Sequence, residues 1–455
     1  MSLTGTPFLY TLIVLFAVAL IMPLVLWSRV RGPQALRTVA RMLMLVFAQG
    51  TAVALVFVLV NNANSLYDNW ADLLGTGNHV QQAANLGADG TGGIALKRLP
   101  KVKQTFTSAT GPGMGGVRET QLKGRVSGVN AEVYVWLPPQ YGEAKYAHHK
   151  FPVVELLPGY PGSAKAWFGS LHVTRQLAPL MRKGEVAPFI LVAPRTNLLA
   201  GVDTGCANIP GTVNADSWLS IDVPKMVMDN FRAESAPNGW AVSGYSAGAH
   251  CAVKLAVAHP DRYMAAVSMS GYNDPIGERN SLAAQNLRIR AENNPYLLLK
   301  GAHTPPRIAL YISGQPHDGY EAALYLQREA KAPTAVHVVP EVTGDGLFGH
   351  AWEMAERAEA IFDFDHVALP LYAGVAEALA RGVRTGGDPR NRDHVERHVE
   401  VAGGLGDEIV AIGNDPQTSG GLLAAVDPGV ASELAESGFS PIGRVVAGPA
   451  RIVLH

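Results

Sequence analysis

The fold of the central part of this 455-residue chain is decided by the stretch Trp240-Ala-Val-Ser-Gly-Tyr-Ser-Ala-Gly-Ala-His250. An apolar strand enters Gly244-Tyr-Ser-Ala-Gly248, and a helical run follows from Cys251 to His259. The glycines permit a sharp turn that lifts the serine hydroxyl clear of the backbone, and the helix N-terminus directs amide dipoles at a developing oxyanion. The pattern predicts that Ser246 is a nucleophile, although a glycine-flanked serine taken alone is also typical of an ordinary turn.

Short apolar strands alternate with helices on both sides of this stretch. The strand-like runs are 153–157, 189–193, 240–242, 265–269, 307–312 and 335–339, and the helical runs are 171–183, 217–231 and 320–330. Upstream, the β-runs Thr120–Ser127 and Ala131–Leu137 predict a hairpin. Such alternation is typical of a mostly parallel sheet covered on both faces, so we predict an α/β fold.

The acid and the base of a hydrolytic site should follow the nucleophile in the order acid, histidine, at the carboxyl ends of the strands. Asp318 follows the fifth of the strands and is the candidate acid, with Glu321 as the second choice. Asp318 is also compatible with a solvated loop carboxylate. After the last strand a predicted loop, Glu341–Gly349, leads to His350, which is the candidate base, whereas His337 lies inside that strand.

Two backbone N–H groups would form the oxyanion hole of this site. One belongs to Ala247, directly after the nucleophile, and the other comes from the loop that follows strand 153–157. In that loop we choose Tyr160, because Pro161 has no N–H. Gly159 permits close approach of the backbone to a substrate. A site of this kind requires no cofactor, and the two cysteines form no Cys-x-x-Cys metal motif.

The N-terminal part contains two long apolar runs, Phe8–Trp27 and Met42–Val60. Each has the roughly 20 residues that a helix needs to cross the hydrocarbon core of a membrane. Arginines are concentrated between the runs and charged residues are absent before the first, so the positive-inside rule places the connecting loop in the cytoplasm and the remaining chain outside. A cleaved signal peptide is the alternative for the first run.

The two cysteines, Cys206 and Cys251, are expected to pair in the oxidising space outside the cytoplasm. Cys206 lies in a turn-rich loop and Cys251 lies in the helix after Ser246, so the bond would pin the loop to that helix. Two free buried cysteines are the alternative.

Six motifs within 117–340 resemble the α/β-hydrolase esterases related to esterase D and the mycolyltransferases. They are Tyr134–Tyr141, Leu157–Tyr160, Trp218–Pro224, Gly244–Gly248, His259–Tyr263 and Ser270–Tyr272. The resemblance implies an extracytoplasmic hydrolase of carboxylic esters or an acyltransferase. It also implies, by position, the roles of Ser246, Asp318, Tyr160 and Ala247.

From Glu341 the sequence resembles the C-terminal domain of selenophosphate synthetase (selenide, water dikinase). The motifs that carry this resemblance are 342–354, Gly386–Asn391 and Asp415–Leu423. It does not extend to that enzyme's N-terminal half with its ATP site, and Glu341 replaces a metal-binding Asp, so this segment alone should be inactive in phosphoryl transfer. His350 fits the esterase pattern Gly-His-x-Trp, but its neighbours follow the synthetase pattern. His350 is therefore either the base of the hydrolase or a look-alike that remains where the hydrolase lost its own histidine loop at the junction.

The sequence thus predicts four segments: a membrane anchor of two transmembrane helices (1–62), a linker (63–116), an α/β-hydrolase domain (117–340, with completion by 341–352 as the alternative) and an α+β synthetase-like fragment (341–455). The expected protein is a multi-pass membrane enzyme with an extracytoplasmic Ser-His-Asp hydrolase that acts on small-molecule or lipid esters. The alternatives are an acyltransferase of the mycolyltransferase type, a selenophosphate synthetase-related protein and a non-catalytic surface-anchored binding domain. The net charge of −1 argues against binding to nucleic acid.

Overall fold

The computed structural model describes residues 3–64, 66–87, 89–95, 98–315, 318–340, 346–372, 374–385, 388–416, 423–436 and 438–455. The chain divides into two compact units, an N-terminal unit, Met1–Val339, and a C-terminal unit, Pro340–His455. The division falls next to the place where the sequence changes from the esterase pattern to the synthetase pattern. Each unit has its own hydrophobic core.

The two apolar runs form long helices, α1 (Thr6–Leu26) and α2 (Gln34–Asn64). Both are long and apolar enough to cross a membrane, with mean hydropathies of 2.7 and 2.5 in their most apolar windows. α2 begins eight residues before its apolar run, and Arg41 lies in this added part of the helix. The Arg41 guanidinium donates to the Trp27 carbonyl over 3.0 Å and lies over the Trp27 indole. This cation therefore satisfies a carbonyl at the negative end of α1.

A central sheet organises the rest of the N-terminal unit. The strands of this unit are β1 (Thr107–Ser108), β2 (Val117–Lys123), β3 (Asn130–Trp136), β4 (Val153–Leu157), β5 (Ile190–Pro194), β6 (Asn208–Ile209), β7 (Val213–Asn214), β8 (Trp240–Tyr245), β9 (Ala265–Met269), β10 (Ala309–Gly314) and β11 (Ala335–Pro340). Nine of them form one sheet in the order β1-β2-β3-β5-β4-β8-β9-β10-β11, and β6 pairs with β7 separately. β5, β4, β8, β9 and β10 run parallel, and the first three strands are antiparallel. The predicted α/β-hydrolase-type sheet is confirmed.

Helices surround this sheet, and its two faces carry separate hydrophobic clusters. Val133 and Val135 of β3 enter one cluster while Tyr134 and Trp136 enter the other, as the alternation of side chains along a strand requires. The helices after α2 are α3 (Trp70–Leu73), α4 (Ala166–Gly169), α5 (Val173–Lys183), α6 (Ala215–Ser217), α7 (Val223–Asn230), α8 (Ala247–Ala258), α9 (Leu287–Glu292), α10 (Pro295–Gly301) and α11 (Tyr320–Glu329). α8 contributes a largely buried helix to the first cluster.

The segment 63–116, expected to be a linker, packs against the hydrolase sheet where the structure describes it. β1 extends the sheet next to β2, and the Val102 N–H donates to the Asp229 carboxylate of α7 over 2.8 Å. Leu86 and Met114 are buried in hydrophobic clusters. The turn-rich composition did not reveal this packing because the contacts use backbone groups, as at Val102, and polar side chains, as at Asp68 and Asp72, more than a periodic apolar face.

Glu155 of β4 is a carboxyl group buried within this fold. It is fully buried, and its Oε2 lies 2.7 Å from the hydroxyl of Tyr263, which is also 3.0 Å from the Leu219 carbonyl oxygen. Burial raises the pKa of Glu155 from 4.5 to about 8. The folded protein therefore keeps this carboxyl protonated at neutral pH.

We expect Glu155→Gln to raise the melting temperature at pH 8 and to leave it unchanged below pH 4.5. In the unfolded chain the carboxyl ionises above 4.5, whereas in the folded protein it stays protonated up to about pH 8. The wild type therefore loses stability as the pH rises through this window, and glutamine cannot ionise. Thermal denaturation of both proteins across this pH range measures the difference between their melting temperatures. If that difference does not grow as the pH rises, the raised pKa of Glu155 is contradicted.

The C-terminal unit is an α+β structure. Its strands, β12 (Ala360–Phe364), β13 (Val399–Val401), β14 (Gly443–Ala447) and β15 (Arg451–Leu454), form a sheet in the order β13-β15-β12-β14. Its helices are α12 (Gly346–Ala358), α13 (Val375–Ala380), α14 (Asp388–Val395), α15 (Asp407–Asn414) and α16 (Pro428–Glu436). Residues 341–345, 386–387 and 417–422, which carry much of the synthetase-like motifs, lie outside the described residues.

Candidate active site

Ser246 occupies the turn between β8 and α8. Its backbone lies at φ 54° and ψ −123°, a strained conformation for a residue other than glycine, and its side chain is exposed. A Cβ on Gly244 would lie 2.0 Å from the Gly248 carbonyl oxygen, and a Cβ on Gly248 would lie 2.2 Å from the Leu157 carbonyl oxygen. Only glycine fits at these two positions, so the motif produces the elbow that lifts the serine out of the sheet.

The two predicted oxyanion donors belong to the start of α8 and to the loop after β4. Ala247 is the first residue of α8, where backbone N–H groups are not used by the helix itself. Gly159, just before Tyr160, approaches the nucleophile so closely that a Cβ on it would lie 3.2 Å from the Ser246 Cβ. The loop after β4 therefore brings the Tyr160 backbone next to the serine.

Asp318 lies on a turn after β10, two strands away from the elbow. Its N–H donates to the Gln315 carbonyl over 2.9 Å, and its side chain is exposed. A Cβ on Gly319 would lie 2.8 Å from the Gly271 carbonyl oxygen, and one on Gly271 would lie 2.9 Å from the Ala249 Cβ in α8. The turn that carries Asp318 therefore packs against the turn after β9, and the turn after β9 packs against the start of α8. All three lie along one edge of the sheet. Glu321 lies in the first turn of α11.

His350 lies in α12 of the C-terminal unit, whereas Ser246 and Asp318 belong to the N-terminal unit. The sequence predicted that a loop leads to this residue, but the described part of that segment is helical from Gly346 on. The structure has a helix because Phe348, Ala351 and Ala355 recur at helical spacing and enter the core of that unit. The imidazole of His350 is half-buried.

Two other histidines are held by packing contacts. His250 is buried one helical turn after the nucleophile, with its Nδ1 2.9 Å from the Tyr272 carbonyl oxygen and its ring stacked on the Tyr272 ring at 4.7 Å. Burial lowers the pKa of His250 to about 4, so the ring stays neutral. His337 on β11 stacks on Tyr311 at 5.2 Å.

A disulfide joins Cys206 to Cys251 and ties a loop to α8, with the two Cα atoms 5.7 Å apart. Beside it, the Lys254 ammonium group donates to the Cys206 carbonyl over 2.8 Å and also contacts the buried Asp216. Burial alone would raise the pKa of Asp216, but His259 and Lys254 lower it well below its usual value. The helix that follows the nucleophile is therefore fixed by a covalent bond and a buried ion pair.

A cavity of about 320 Å³ lies beside the oxyanion loop. Its walls are the segment 66–77, the loop residues Tyr160–Ser163 and the residues after β5, among them Arg195. Sequence reasoning missed this cavity because 66–77 was assigned to a linker. The available signal was the aromatic and acidic composition of 67–72 directly after an apolar run.

The hydrolase segment matches a known protein family. Residues 126–351 match the family model Esterase, whose description is "Putative esterase". This segment carries the sequence pattern of that esterase family. The family resemblance inferred from the six motifs is confirmed, and the esterase match supports a serine hydrolase. The match runs across the boundary between the two units and includes His350.

Several curated relatives of this chain are selenide, water dikinases. The protein from Pseudomonas straminea is 39% identical over 124 residues, which cover 26% of this chain and 35% of the relative. The protein from Geobacter metallireducens is 43% identical over 107 residues, which cover 24% of this chain and 29% of the relative. The resemblance of the C-terminal segment is confirmed, and the chain spans about a third of the length of these relatives.

Among solved structures, a ferulic acid esterase has 21% identity and a TM-score of 0.41, with 49% of this chain and 90% of that chain covered. An S-formylglutathione hydrolase from Staphylococcus aureus has 16% identity and a TM-score of 0.38, with 52% and 92% covered. Similarity at this level says nothing about the substrate of this chain.

Proposed function

We propose that the N-terminal unit hydrolyses carboxylic esters with Ser246 as the nucleophile. The observation that carries this proposal is the elbow, in which a serine at φ 54° lies between β8 and α8 within a segment that matches an esterase family. A strained, exposed serine at the start of a helix, beside a second loop that supplies a backbone donor, has the arrangement that acyl transfer requires.

In the proposed reaction the Ser246 Oγ attacks the acyl carbonyl, and the imidazole of His350 accepts its proton. The carboxylate of Asp318 orients the imidazole, and the N–H groups of Tyr160 and Ala247 bind the oxyanion. The protonated imidazole returns the proton to the leaving alcohol, and water then releases the acyl group by the same steps in reverse. His350 is supported by the esterase match, which extends to residue 351.

A fluorophosphonate probe tests this function against its rivals. The probe should label the wild-type protein covalently and should not label Ser246→Ala, because it reacts with an activated serine hydroxyl. A wild-type protein that stays unlabelled would support the non-catalytic binding domain or the selenophosphate synthetase-related protein instead.

We further propose that α1 and α2 anchor the protein in a membrane with the hydrolase outside the cytoplasm. The loop between the helices carries Arg29 and Arg31, and Arg37 and Arg41 follow within the first turns of α2. The disulfide between Cys206 and Cys251 is of a kind that persists in oxidising compartments.

The proposed topology predicts opposite labelling of two introduced cysteines on intact cells. Gly115→Cys should react with an impermeant maleimide, and Gln34→Cys should react only after the membrane is opened. Gly115 suits this purpose because a Cβ there meets no atom within 4 Å, and both native cysteines are in the disulfide. The reverse pattern would place the hydrolase in the cytoplasm.

A further inference from the structure

The residues after the second apolar helix form a short strap, 66–77, that is attached directly to the helix end. Asn61, in the last turn of α2, is fully buried. Its side-chain amide donates to the Tyr67 carbonyl over 3.0 Å, and its side-chain oxygen accepts the Tyr67 N–H over 2.9 Å. This pair of hydrogen bonds fixes where the strap starts relative to α2.

The strap is bound at its other side to the loop that carries the oxyanion donor Tyr160. The Ser163 hydroxyl donates to the Asp68 carboxylate over 2.6 Å. Arg195, at the end of β5 and 7% exposed, donates to the Asp72 carboxylate over 3.2 and 3.0 Å. A buried guanidinium is costly to leave unpaired, so these ion pairs hold strap and hydrolase together.

The cavity of about 320 Å³ lies between the strap and this loop. Tyr160 lines it, and the preceding residue, Gly159, lies so near Ser246 that a Cβ on it would be 3.2 Å from the Ser246 Cβ. Much of the remaining lining is polar, with Tyr67, Asn197 and Asn280 among it. The charged residues of the lining are already engaged in ion pairs, since Arg195 contacts Asp68, Asp72 and Glu132 and the Lys165 ammonium group lies 3.6 Å from Asp68. The cavity therefore suits an uncharged group that bears hydroxyls rather than an ion.

The strap also lies at the level of the membrane surface if α2 spans the bilayer. It starts a few residues after Val60, the last residue of the apolar run, and the headgroup layer adds only several ångströms to the hydrocarbon core on each side. The Trp70 ring packs edge-on against Phe8 at the start of α1, with centroids 5.2 Å apart. Leu74 is 69% exposed. An aromatic and an exposed apolar side chain at this depth are typical of a membrane interface.

We propose that this cavity receives the hydroxyl-bearing head of an acyl ester that resides in the same membrane and presents its carbonyl to Ser246. The inference rests on the proposed esterase function and names its substrate class. The anchor thus contributes a wall of the substrate site through the strap, in addition to holding the enzyme at the surface.

The test uses the full chain in phospholipid vesicles with three substrates. p-Nitrophenyl acetate reports on the Ser246 machinery alone, 1-monopalmitoylglycerol is a membrane-resident ester with a hydroxyl-bearing head, and 1-monobutyrylglycerol has the same head but is water-soluble. Leu73→Trp and Ala200→Trp fill the cavity from two different segments of its lining, the strap and the residues after β5. Leu74→Trp adds the same side chain to the strap at the next residue, outside the cavity lining, and is the matched control.

We expect both cavity variants to lower kcat/KM for the two glycerol esters at least about tenfold and to change p-nitrophenyl acetate hydrolysis less than about twofold. The control should change none of the three beyond about twofold. The wild type should hydrolyse the membrane-resident glycerol ester more efficiently than the soluble one, because the anchor and the strap place the cavity at the headgroup level.

The outcomes separate this inference from the function on which it rests. A wild type active on p-nitrophenyl acetate but not on the glycerol esters, or cavity variants that behave as the control, would overturn the cavity assignment and leave the esterase intact. A preference for the soluble glycerol ester would overturn the membrane-resident class. Equal losses on all three substrates would show that the variants disturb the oxyanion loop, which also overturns the assignment. Absence of activity on all three would remove the esterase and the inference together.

Discussion

Ser246→Ala is expected to abolish hydrolysis of short p-nitrophenyl esters, with kcat lowered at least about 10⁴-fold. The substitution removes the only atom that bonds to the acyl carbon in the proposed reaction. Its melting temperature should stay close to that of the wild type, because the side chain is exposed at the elbow. Initial rates at saturating substrate and a thermal denaturation curve measure both effects, and equal activity in the variant would remove Ser246 from the mechanism.

His350→Ala is expected to lower kcat by roughly three orders of magnitude or more, with KM little changed. Proton transfer from the serine occurs only as the transition state forms, so loss of the base should not weaken binding of the ester. Steady-state kinetics with p-nitrophenyl acetate separate the two constants.

The control for this variant is His337→Ala. His337 lies on the last strand of the sheet and its ring stacks on the Tyr311 ring. Loss of the His337 imidazole should leave kcat within about twofold of the wild-type value. Full activity in His350→Ala would require another base. A wild type that is inactive from the outset would show that the junction with the synthetase-like segment broke the triad.

Much of the central sheet could be predicted because its strands are short continuous apolar runs. β4 and β9 have the predicted bounds, Val153–Leu157 and Ala265–Met269, and α11 starts at the predicted Tyr320. A strand that is covered on both faces has a continuous apolar sequence, which makes it recognisable. The glycines of the elbow determine the turn that follows β8.

Other elements were missed although local signals were present. α9 and α10 follow Asn286 and Asn294, whose side chains cap the helix N-termini by accepting backbone N–H groups. Pro295 at the first position of α10 strengthens the second signal. Both helices are short, so apolar residues do not recur at helical spacing over several turns. That recurrence is the signal that predicted the longer helices, and it was weak here.

The ion pairs between the strap and the hydrolase could not be predicted. Arg195 and Asp68 are 127 residues apart in the sequence, and a charged residue in a turn-rich segment is usually solvated. Likewise, the position of His350 in a helix follows from the core of the C-terminal unit, whereas the sequence order alone predicted a loop that leads to this residue.

The cross-link between Cys206 and Cys251 determines how this protein should be produced in the laboratory. Closing a loop over a separation of 45 residues is worth about 4 kcal/mol on the chain-entropy estimate. That is a large share of the roughly 5–15 kcal/mol by which folded domains are stable. A recombinant host that keeps thiols reduced would therefore yield a weakened hydrolase, in which the carbonyl that accepts from the buried Lys254 is also released from its covalent restraint. Expression with export to an oxidising compartment is the sound choice, and assays of material from reducing hosts would underestimate the enzyme.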